Sequence, residues 1–416
     1  MGRFQFRCIE CDAAYAEEPV RLVCPLCSRK QETGGVTRGV LAVTLDDCPS
    51  KWPEAAASSP EFLIPFWPIS SAEYFPPFPV GDTPLLAVPE LLSVLGTPNL
   101  QIKDDTRNPS GSTKDRASFL VVAKAKEYGY KTVATASTGN AATALAAVAA
   151  ASGIRAVVFV PASAPREKLV QMLAYGATVM PIDGTYDEAF ELCCAACEEF
   201  GWYNRNTALN PFTIEGKKTA ALEIARQMTP EAPDVVVVPT GDGVILSGLA
   251  KGFDDLVRGG LIDRPPRLIA VQPDESASIA HALITGSESI TPVPGAKSVA
   301  DSLTVEAPRN AIQCLRAIRA SGGGGVVVSD DEIVDGIAEL AQHTGVFAEP
   351  AGAAVLPGLR RALQSGLVDR RERIVLLVTG TGLKDVASAS RAVAEPSPIK
   401  PNLEAVAQRW REIETG

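Results

Sequence analysis

From about residue 117 the chain alternates helical runs with short apolar runs, and this alternation constrains the fold more than any other feature. Strands are predicted at Thr132–Ala136, Ala156–Val160, Thr178–Ile182, Val235–Pro239, Leu268–Val271, Gly325–Val328 and Ile374–Thr379. Most are apolar at every position, which suits strands covered on both faces rather than on one. Between and around them the pattern predicts helices over 118–128, 140–152, 166–175, 187–200, 215–227, 249–258, 330–344 and 351–365. Strands that alternate with helices of this length form parallel βαβ units. The expectation is an α/β chain with two doubly wound sheets.

The stretch Lys103-Asp-Asp-Thr-Arg-Asn-Pro-Ser-Gly-Ser-Thr-Lys114-Asp-Arg116 begins as a short strand and breaks at Asn108-Pro109 and Gly111, which are turn residues. Ser110 or Ser112 is placed to cap the helix that Lys114 opens. A lysine beside a helix N-terminus meets partial positive charge, which disfavours the ammonium form. A neutral amine is what Schiff-base chemistry needs.

Three strand-to-helix turns carry further chemistry. Ala136-Ser137-Thr138-Gly139-Asn140 places two hydroxyls and free N–H groups at a helix start, a site for a carboxylate or phosphate. The glycine-rich turn Pro239-Thr-Gly241-Asp242-Gly243-Val244-Ile245 follows a buried strand, and its glycines let the backbone approach a phosphate closely. Thr379-Gly-Thr-Gly-Leu-Lys384 puts a hydroxyl at the end of the last strand. Neither glycine-rich turn has dinucleotide or P-loop spacing.

Near the N-terminus stand Cys8-x-x-Cys11 and Cys24-x-x-Cys27, twelve residues apart. That spacing predicts a tetrahedral, structural Zn²⁺ site of the ribbon kind, with no open position for catalysis. Only two histidines are present, His281 and His343, neither in a motif. Proton transfer therefore falls to lysine, a carboxylate or a cofactor, unless one of the two histidines is the base. The net charge of −10 argues against a nucleic-acid surface, which needs a basic stripe. The Ala-rich run 141–151 is too short to span a bilayer, so no membrane partner is expected, and a cytoplasmic location is the expectation.

Together these motifs resemble the fold-type II pyridoxal phosphate enzymes and, among them, the threonine synthase family. The resemblance rests on the Cys₄ segment, Gly81-Asp-Thr-Pro-Leu, Asn108-Pro-Ser-Gly-Ser-Thr-Lys114-Asp-Arg, Ser137-Thr-Gly-Asn140, Asn210-Pro-Phe-Thr-Ile-Glu-Gly-Lys217-Lys-Thr, Pro239…Gly248, Val346-Phe-Ala-Glu-Pro350 and Thr379-Gly-Thr-Gly-Leu-Lys-Asp385. It implies that Lys114 is the Schiff-base lysine and that Asn140 serves the pyridoxal 3′-hydroxyl. Gly241, Asp242, Gly243, Val244 and Ile245 would hold the cofactor phosphate, and Thr379 would serve the pyridine nitrogen. Ser137, Thr138 and Gly139 would take the substrate carboxylate, with Ser110, Ser112 and Asn210 on the substrate side.

The organisation implied is a ribbon-like segment (1–35), an arm (36–80), a large cofactor domain (81–116 with 213–400), a small substrate-side domain (117–212) and a C-terminal helix (401–416), in a homodimer. The implied reaction is the conversion of O-phospho-L-homoserine and water to L-threonine and phosphate. The sequence departs from the family at Thr213, where an arginine for the substrate phosphate is common. Lys217, Lys218 or Arg166 would have to replace it. The departure leaves open a β-elimination or β-replacement on another amino acid, such as serine, threonine or an O-activated serine.

Overall fold

The computed structural model describes residues 4–19, 21–32 and 34–415, the side chains of residues 167, 168 and 415 excepted. Residues 1–3, 20 and 33, in the stretch read as a ribbon, lie outside the described residues. Among the described residues, thirteen strands form three sheets. The first sheet is antiparallel, β2-β1-β3, from β1 (Phe4–Cys8), β2 (Ala14–Tyr15) and β3 (Leu41–Leu45). Strand β3 belongs to the stretch read as an arm, yet it pairs with β1 from Phe4↔Leu45 to Cys8↔Leu41.

The central sheet has the order β12-β11-β10-β13-β5-β4. Its members are β4 (Leu85–Ala87), β5 (Leu100–Asp104), β10 (Val235–Pro239), β11 (Arg267–Pro273), β12 (Gly324–Val328) and β13 (Ile374–Val378). All pairings are parallel except that of edge strand β4. The third sheet is parallel, β8-β7-β6-β9, from β6 (Thr132–Ala136), β7 (Arg155–Pro161), β8 (Thr178–Ile182) and β9 (Tyr203–Asn204). The interior strands β10 and β13 are buried at every residue, as expected of parallel sheets covered on both faces. The α/β expectation with two wound sheets is met.

The helices used below are α1 (Pro60–Leu63), α2 (Pro89–Leu95), α3 (Lys114–Glu127), α4 (Asn140–Ser152), α5 (Arg166–Ala174), α6 (Tyr186–Phe200), α7 (Phe212–Lys217), α8 (Thr219–Met228) and α9 (Val244–Arg258). Three local expectations are corrected. Neither Ser110 nor Ser112 caps α3: Thr113 holds the cap position without a side-chain bond, because Ser110 is drawn instead to Asp115. The helix expected over 215–227 is two helices broken at Lys218, where Thr219 Oγ1 donates to the Gly216 carbonyl oxygen at 2.8 Å and such back-bonding bends helices. Helix α9 starts at Val244, five residues before the apolar pattern indicated, so the glycine-rich turn feeds straight into it. The pattern also passed over α2 and the helices Ser278–Thr285 and Ala311–Ala320.

Helix α7 lies hard against α3. A Cβ at Gly216 would sit 2.2 Å from the Arg116 carbonyl oxygen, so only glycine allows this approach. Among the described residues no helix is long and apolar enough to cross a membrane.

Candidate active site

Lys114 is brought to its place by two chain segments far away in sequence. Thr113 N donates to Thr379 O at 2.8 Å, Thr381 N to Gly111 O at 3.0 Å, and Glu349 N to Gly380 O at 2.9 Å. Short bridges Ser112↔Gly380 and Ala348↔Thr381 complete the seam. The turn after β13 thus holds both the start of α3 and the segment before Pro350.

At the head of α3 the Lys114 side chain is half-buried and makes no hydrogen bond or ion pair among the described residues. Burial holds its amine below the ordinary lysine range; the Arg205 cation adds to this, while Glu349 and Asp242 oppose it. Depression of this kind shifts an amine toward its neutral, nucleophilic form.

Glu349 acts on it electrostatically, and the local sequence assigns no role to this carboxylate. Its two carboxylate oxygens accept from Asn140 Nδ2 at 2.8 and 3.0 Å. Burial pushes its carboxyl up, against the hydrogen bond from Asn140 and the Lys114 charge. A Cβ at Gly380 would lie 2.2 Å from Glu349 Oε1, so glycine at 380 leaves room for the carboxylate. Asn140, the residue expected at a cofactor hydroxyl, therefore meets Glu349 here. Ala348-Glu349-Pro350 precedes a helix, which was the available signal, but nothing local says that Glu349 turns toward Asn140, 209 positions away.

A cavity of about 340 Å³ opens beside this pair, lined by Thr138, Gly139, Asn140, Gln171, Glu349 and Lys384 among others. A Cβ at Gly139 would meet nothing within 4 Å, so the turn borders open space. Ser137 Oγ accepts from Gly139 N at 3.2 Å, and the N-cap Gly139 leaves the start of α4 without a side-chain cap. Lys384 Nζ donates to Gln171 Oε1 at 2.9 Å, and Gln171 Nε2 donates to Ser110 O at 3.2 Å. These two bonds tie α5 across the cavity to the central-sheet side.

At the second anion turn, Gly243 has φ +84°, and a Cβ there would be 2.6 Å from Cys314 Cβ. It is the N-cap of α9, again without a side-chain cap. Asp242 Oδ1 accepts from Arg309 N at 3.0 Å and Asp242 O from Asn310 N at 3.1 Å, so the Asp242 carboxylate is spent on the neighbouring loop. Val244 packs with Val40, Ala208 and Ile214, and Ile9 lies against them; Ile245 is half-buried. Thr379 is buried, and its hydroxyl has no partner among the described residues.

The remaining site expectations divide. Ser112 Oγ is buried without a partner among the described residues. Ser110 and Asn210 are committed elsewhere. Ser110 Oγ donates to Asp115; Asn210 donates to Asn204 O at 2.8 Å and accepts from Phe212 N at 2.9 Å. Thr213 Oγ1 donates to Asn210 O at 2.8 Å. Of the cations named to stand in for an arginine at 213, Lys218 is locked between Glu215 and Asp255 and Arg166 is exposed. Lys217 is buried with no hydrogen bond or ion pair among the described residues.

Cys8, Cys11, Cys24 and Cys27 bring their sulfurs within 4.8 Å of one another. Cys11 and Cys24 Sγ are 3.7 Å apart, close to the roughly 3.8 Å edge of a tetrahedron with Zn–S bonds of about 2.3 Å. Tyr15 Oη lies 3.1 Å from Cys24 Sγ and Glu10 N donates to Cys8 Sγ at 3.4 Å, outer contacts of the kind that steady thiolates. The donor set fits a structural zinc ion.

A parallel central sheet with an unpaired lysine at one strand-to-helix junction, an uncapped helix N-terminus at another and a hydroxyl after the last strand defines the class. The chain matches the family described as pyridoxal-phosphate dependent enzyme over residues 77–380 and belongs to it. Orphaned groups at Lys114, Ser112 and Thr379 and the open space at Gly139 fit such a cofactor.

Within that family its similar relatives include threonine synthases. One from Methanosarcina acetivorans is 34% identical over 412 residues, 97% of this chain and 98% of that protein. One from Methanocaldococcus jannaschii is 33% identical over 412 residues, 98% and 99% of the two chains. One from Mycobacterium tuberculosis strain H37Rv is 34% identical over 355 residues, 82% and 96%. In structure, threonine deaminase isoform 2 from Solanum lycopersicum superposes with a TM-score of 0.65 at 22% identity, over 84% of this chain and 98% of that one. Diaminopropionate ammonia lyase from Escherichia coli does so at 0.64 and 19%, over 77% and 89%. The chain is a threonine synthase-like, pyridoxal phosphate-dependent lyase.

Proposed function

We propose that the protein converts O-phospho-L-homoserine and water to L-threonine and phosphate. The observation that carries this reading is the half-buried Lys114 amine, without a hydrogen bond or ion pair among the described residues and within electrostatic reach of Glu349, whose carboxylate accepts from Asn140 at the wall of the cavity, in a chain related along nearly its full length to threonine synthases. Bound pyridoxal phosphate would supply an electron sink for the bonds at the substrate α-carbon.

Lys114 would hold it covalently and then move protons at the α-carbon and its neighbours, a role for which a depressed amine is suited. Asn140, backed by Glu349, would face the ring hydroxyl. The start of α9, from Gly241 to Ile245, would hold the phosphate, the helix N-terminus favouring its charge. Thr379 would serve the pyridine nitrogen; a neutral hydroxyl leaves the ring unprotonated and favours elimination over transamination. Ser137, Thr138 and Gly139, at the start of α4, would receive the substrate carboxylate. In this reading 81–116 with 213–400 form the cofactor unit and 117–212 the substrate-side unit.

A steady-state assay with O-phospho-L-homoserine tests it: equal release of phosphate and threonine is expected. Release of neither, while other amino acids still perturb the visible spectrum, would leave the cofactor reading standing and overturn the substrate. A second reading, elimination or replacement at the β-carbon of another amino acid, is favoured by Thr213, whose hydroxyl is turned inward to Asn210 O.

We also infer that the four cysteines bind one structural zinc. Because Ile9, beside Cys8, touches the cluster of Val40, Ile214 and Val244, the ribbon braces α7 and α9. Metal analysis should find about one zinc per chain. Stripping it with a strong chelator should lower the melting temperature, and an unchanged melt would refute the bracing.

A further inference from the structure

Arg205 and Lys217 form a second group of buried cations within electrostatic reach of Lys114, with no ion pair among the described residues. Arg205 follows β9 and is fully buried. Its Nε donates to Ser118 Oγ at 3.3 Å, while its Nη2 is buried without a partner among the described residues. Ser118 lies one turn beyond Lys114 on α3, so both residues share one face of that helix. Lys217 sits on α7, wedged between α3 and α9. The neighbouring Gly216 touches Arg116, and a Cβ at Gly248 would come within 2.7 Å of Lys217 Cβ. Gly248 lies one turn into α9, the helix whose uncapped start is the phosphate turn.

The nearby carboxylates are already engaged. Asp242 takes Arg309 N, Glu349 takes Asn140, and Asp115 takes Ser110. Burial raises the Asp115 carboxyl to about 6, and its oxygens already accept from Ser110. Burial, then the charges of Lys114 and Arg205, hold the Lys217 amine well below the ordinary lysine range. Unpaired buried cations are costly, and such groups persist where a ligand completes them.

We propose that Arg205 and Lys217 together bind a phosphate monoester dianion, Arg205 through its free guanidinium edge and Lys217 as a point charge. The dianion is that of the amino-acid substrate or that of the cofactor. A phosphoryl dianion would supply the two negative charges that the carboxylates do not, and the guanidinium fork matches phosphate oxygens. The inference rests on the reading of the chain as a lyase of phosphorylated amino acids.

The test uses the full-length chain with Lys217→Gln, Arg205→Gln and the charge-keeping Lys217→Arg and Arg205→Lys. Cofactor affinity is measured by visible absorbance on titrating the apo protein with pyridoxal phosphate. Substrate-side affinity is measured by titrating the holo protein with inorganic phosphate and with O-phospho-L-homoserine, and L-threonine serves as the uncharged-tail control. Each neutral variant should lose roughly 10- to 100-fold in affinity for a phosphate ligand, with L-threonine binding unchanged and the charge-keeping variants partly restored.

Loss confined to pyridoxal phosphate assigns the dianion to the cofactor; loss confined to inorganic phosphate and O-phospho-L-homoserine assigns it to the substrate. Wild-type affinity for all three in both neutral variants overturns the proposal. The ligand-free neutral variants should melt at or above the wild-type temperature, because a buried unpaired charge has been removed. A lower melt together with equal losses for L-threonine would mean a structural role and also overturn it. The pyridoxal phosphate and inorganic phosphate titrations involve no turnover, so failure of the wild type to form threonine would refute the substrate reading alone and leave these two titrations decisive.

Discussion

Replacing Lys114 by alanine is expected to abolish turnover, by roughly 10²–10⁴-fold at the least, and to remove the borohydride-sensitive visible absorption of the loaded protein. The fold should survive. The Lys114 amine has no hydrogen bond or ion pair among the described residues to lose, and taking an unpaired ammonium out of a half-buried position relieves a desolvation cost. Circular dichroism and the melting temperature should therefore match or exceed the wild type while activity vanishes. That combination separates a chemical role from a scaffolding one. In the wild type, the limb of the rate profile that reports this amine should rise at a pH below the ordinary lysine value of about 10.4, because burial and Arg205 depress it. A variant that kept its visible band and its rate would sink the assignment of Lys114.

The second large effect is on stability. Glu223→Ala should destabilise the protein by roughly 3–5 kcal/mol, the usual consequence of leaving buried cations without their carboxylate. Arg116 is fully buried, two residues after Lys114. It grips Asp105 with Nε at 2.8 Å and Nη2 at 2.7 Å, and Glu223 with Nη1 and with Nη2, the latter at 2.8 Å. Lys103 reaches the same Glu223 at 2.6 Å. Gly81 is glycine for a reason visible here: at φ +87°, a Cβ would lie 2.7 Å from Glu223 Oε1.

Burial opposes the charge of Glu223, but Arg116 and Lys103 outweigh it and hold the carboxyl far below the usual range. A depressed carboxylate contributes stability that is present above its unfolded pKa of about 4.3 and is lost as pH falls through the folded value. The wild type should thus lose this contribution below about pH 4, and Glu223→Ala should show a flatter acid limb. Urea midpoints across pH measure both effects. Cofactor affinity should fall with them, because Arg116 anchors the start of α3, which carries Lys114. An unchanged midpoint would mean that the network is not what holds that helix.

The apolar runs and the glycine turns were legible before any coordinates. The strands Thr132–Ala136, Thr178–Ile182 and Val235–Pro239 and the helices Asn140–Ser152 and Asp330–Thr344 lie where the pattern put them, since periodicity and turn chemistry act over neighbouring residues. Helix ends fared less well. The α7–α8 break at Lys218 goes with the Thr219 back-bond to the Gly216 carbonyl oxygen, and the early start of α9 goes with Gly243 at positive φ; neither is an apolar-pattern signal.

The motifs also marked the Lys114 junction, the two uncapped helix starts and the cysteine cluster, because each is built within a short span of chain. Only the tertiary structure decided which charges are paired. It turned Glu349 onto Asn140, spent Ser110 and Asn210 on internal bonds, held Arg205 by Ser118 alone among side chains, and left the Arg205 Nη2 group and the Lys217 amine without a partner among the described residues. Those outcomes join residues tens to hundreds of positions apart, such as Arg205 with Ser118 at a separation of 87. Local propensity carries no trace of them. A charge's partners, and hence its protonation state, are set by what burial brings within a few ångströms.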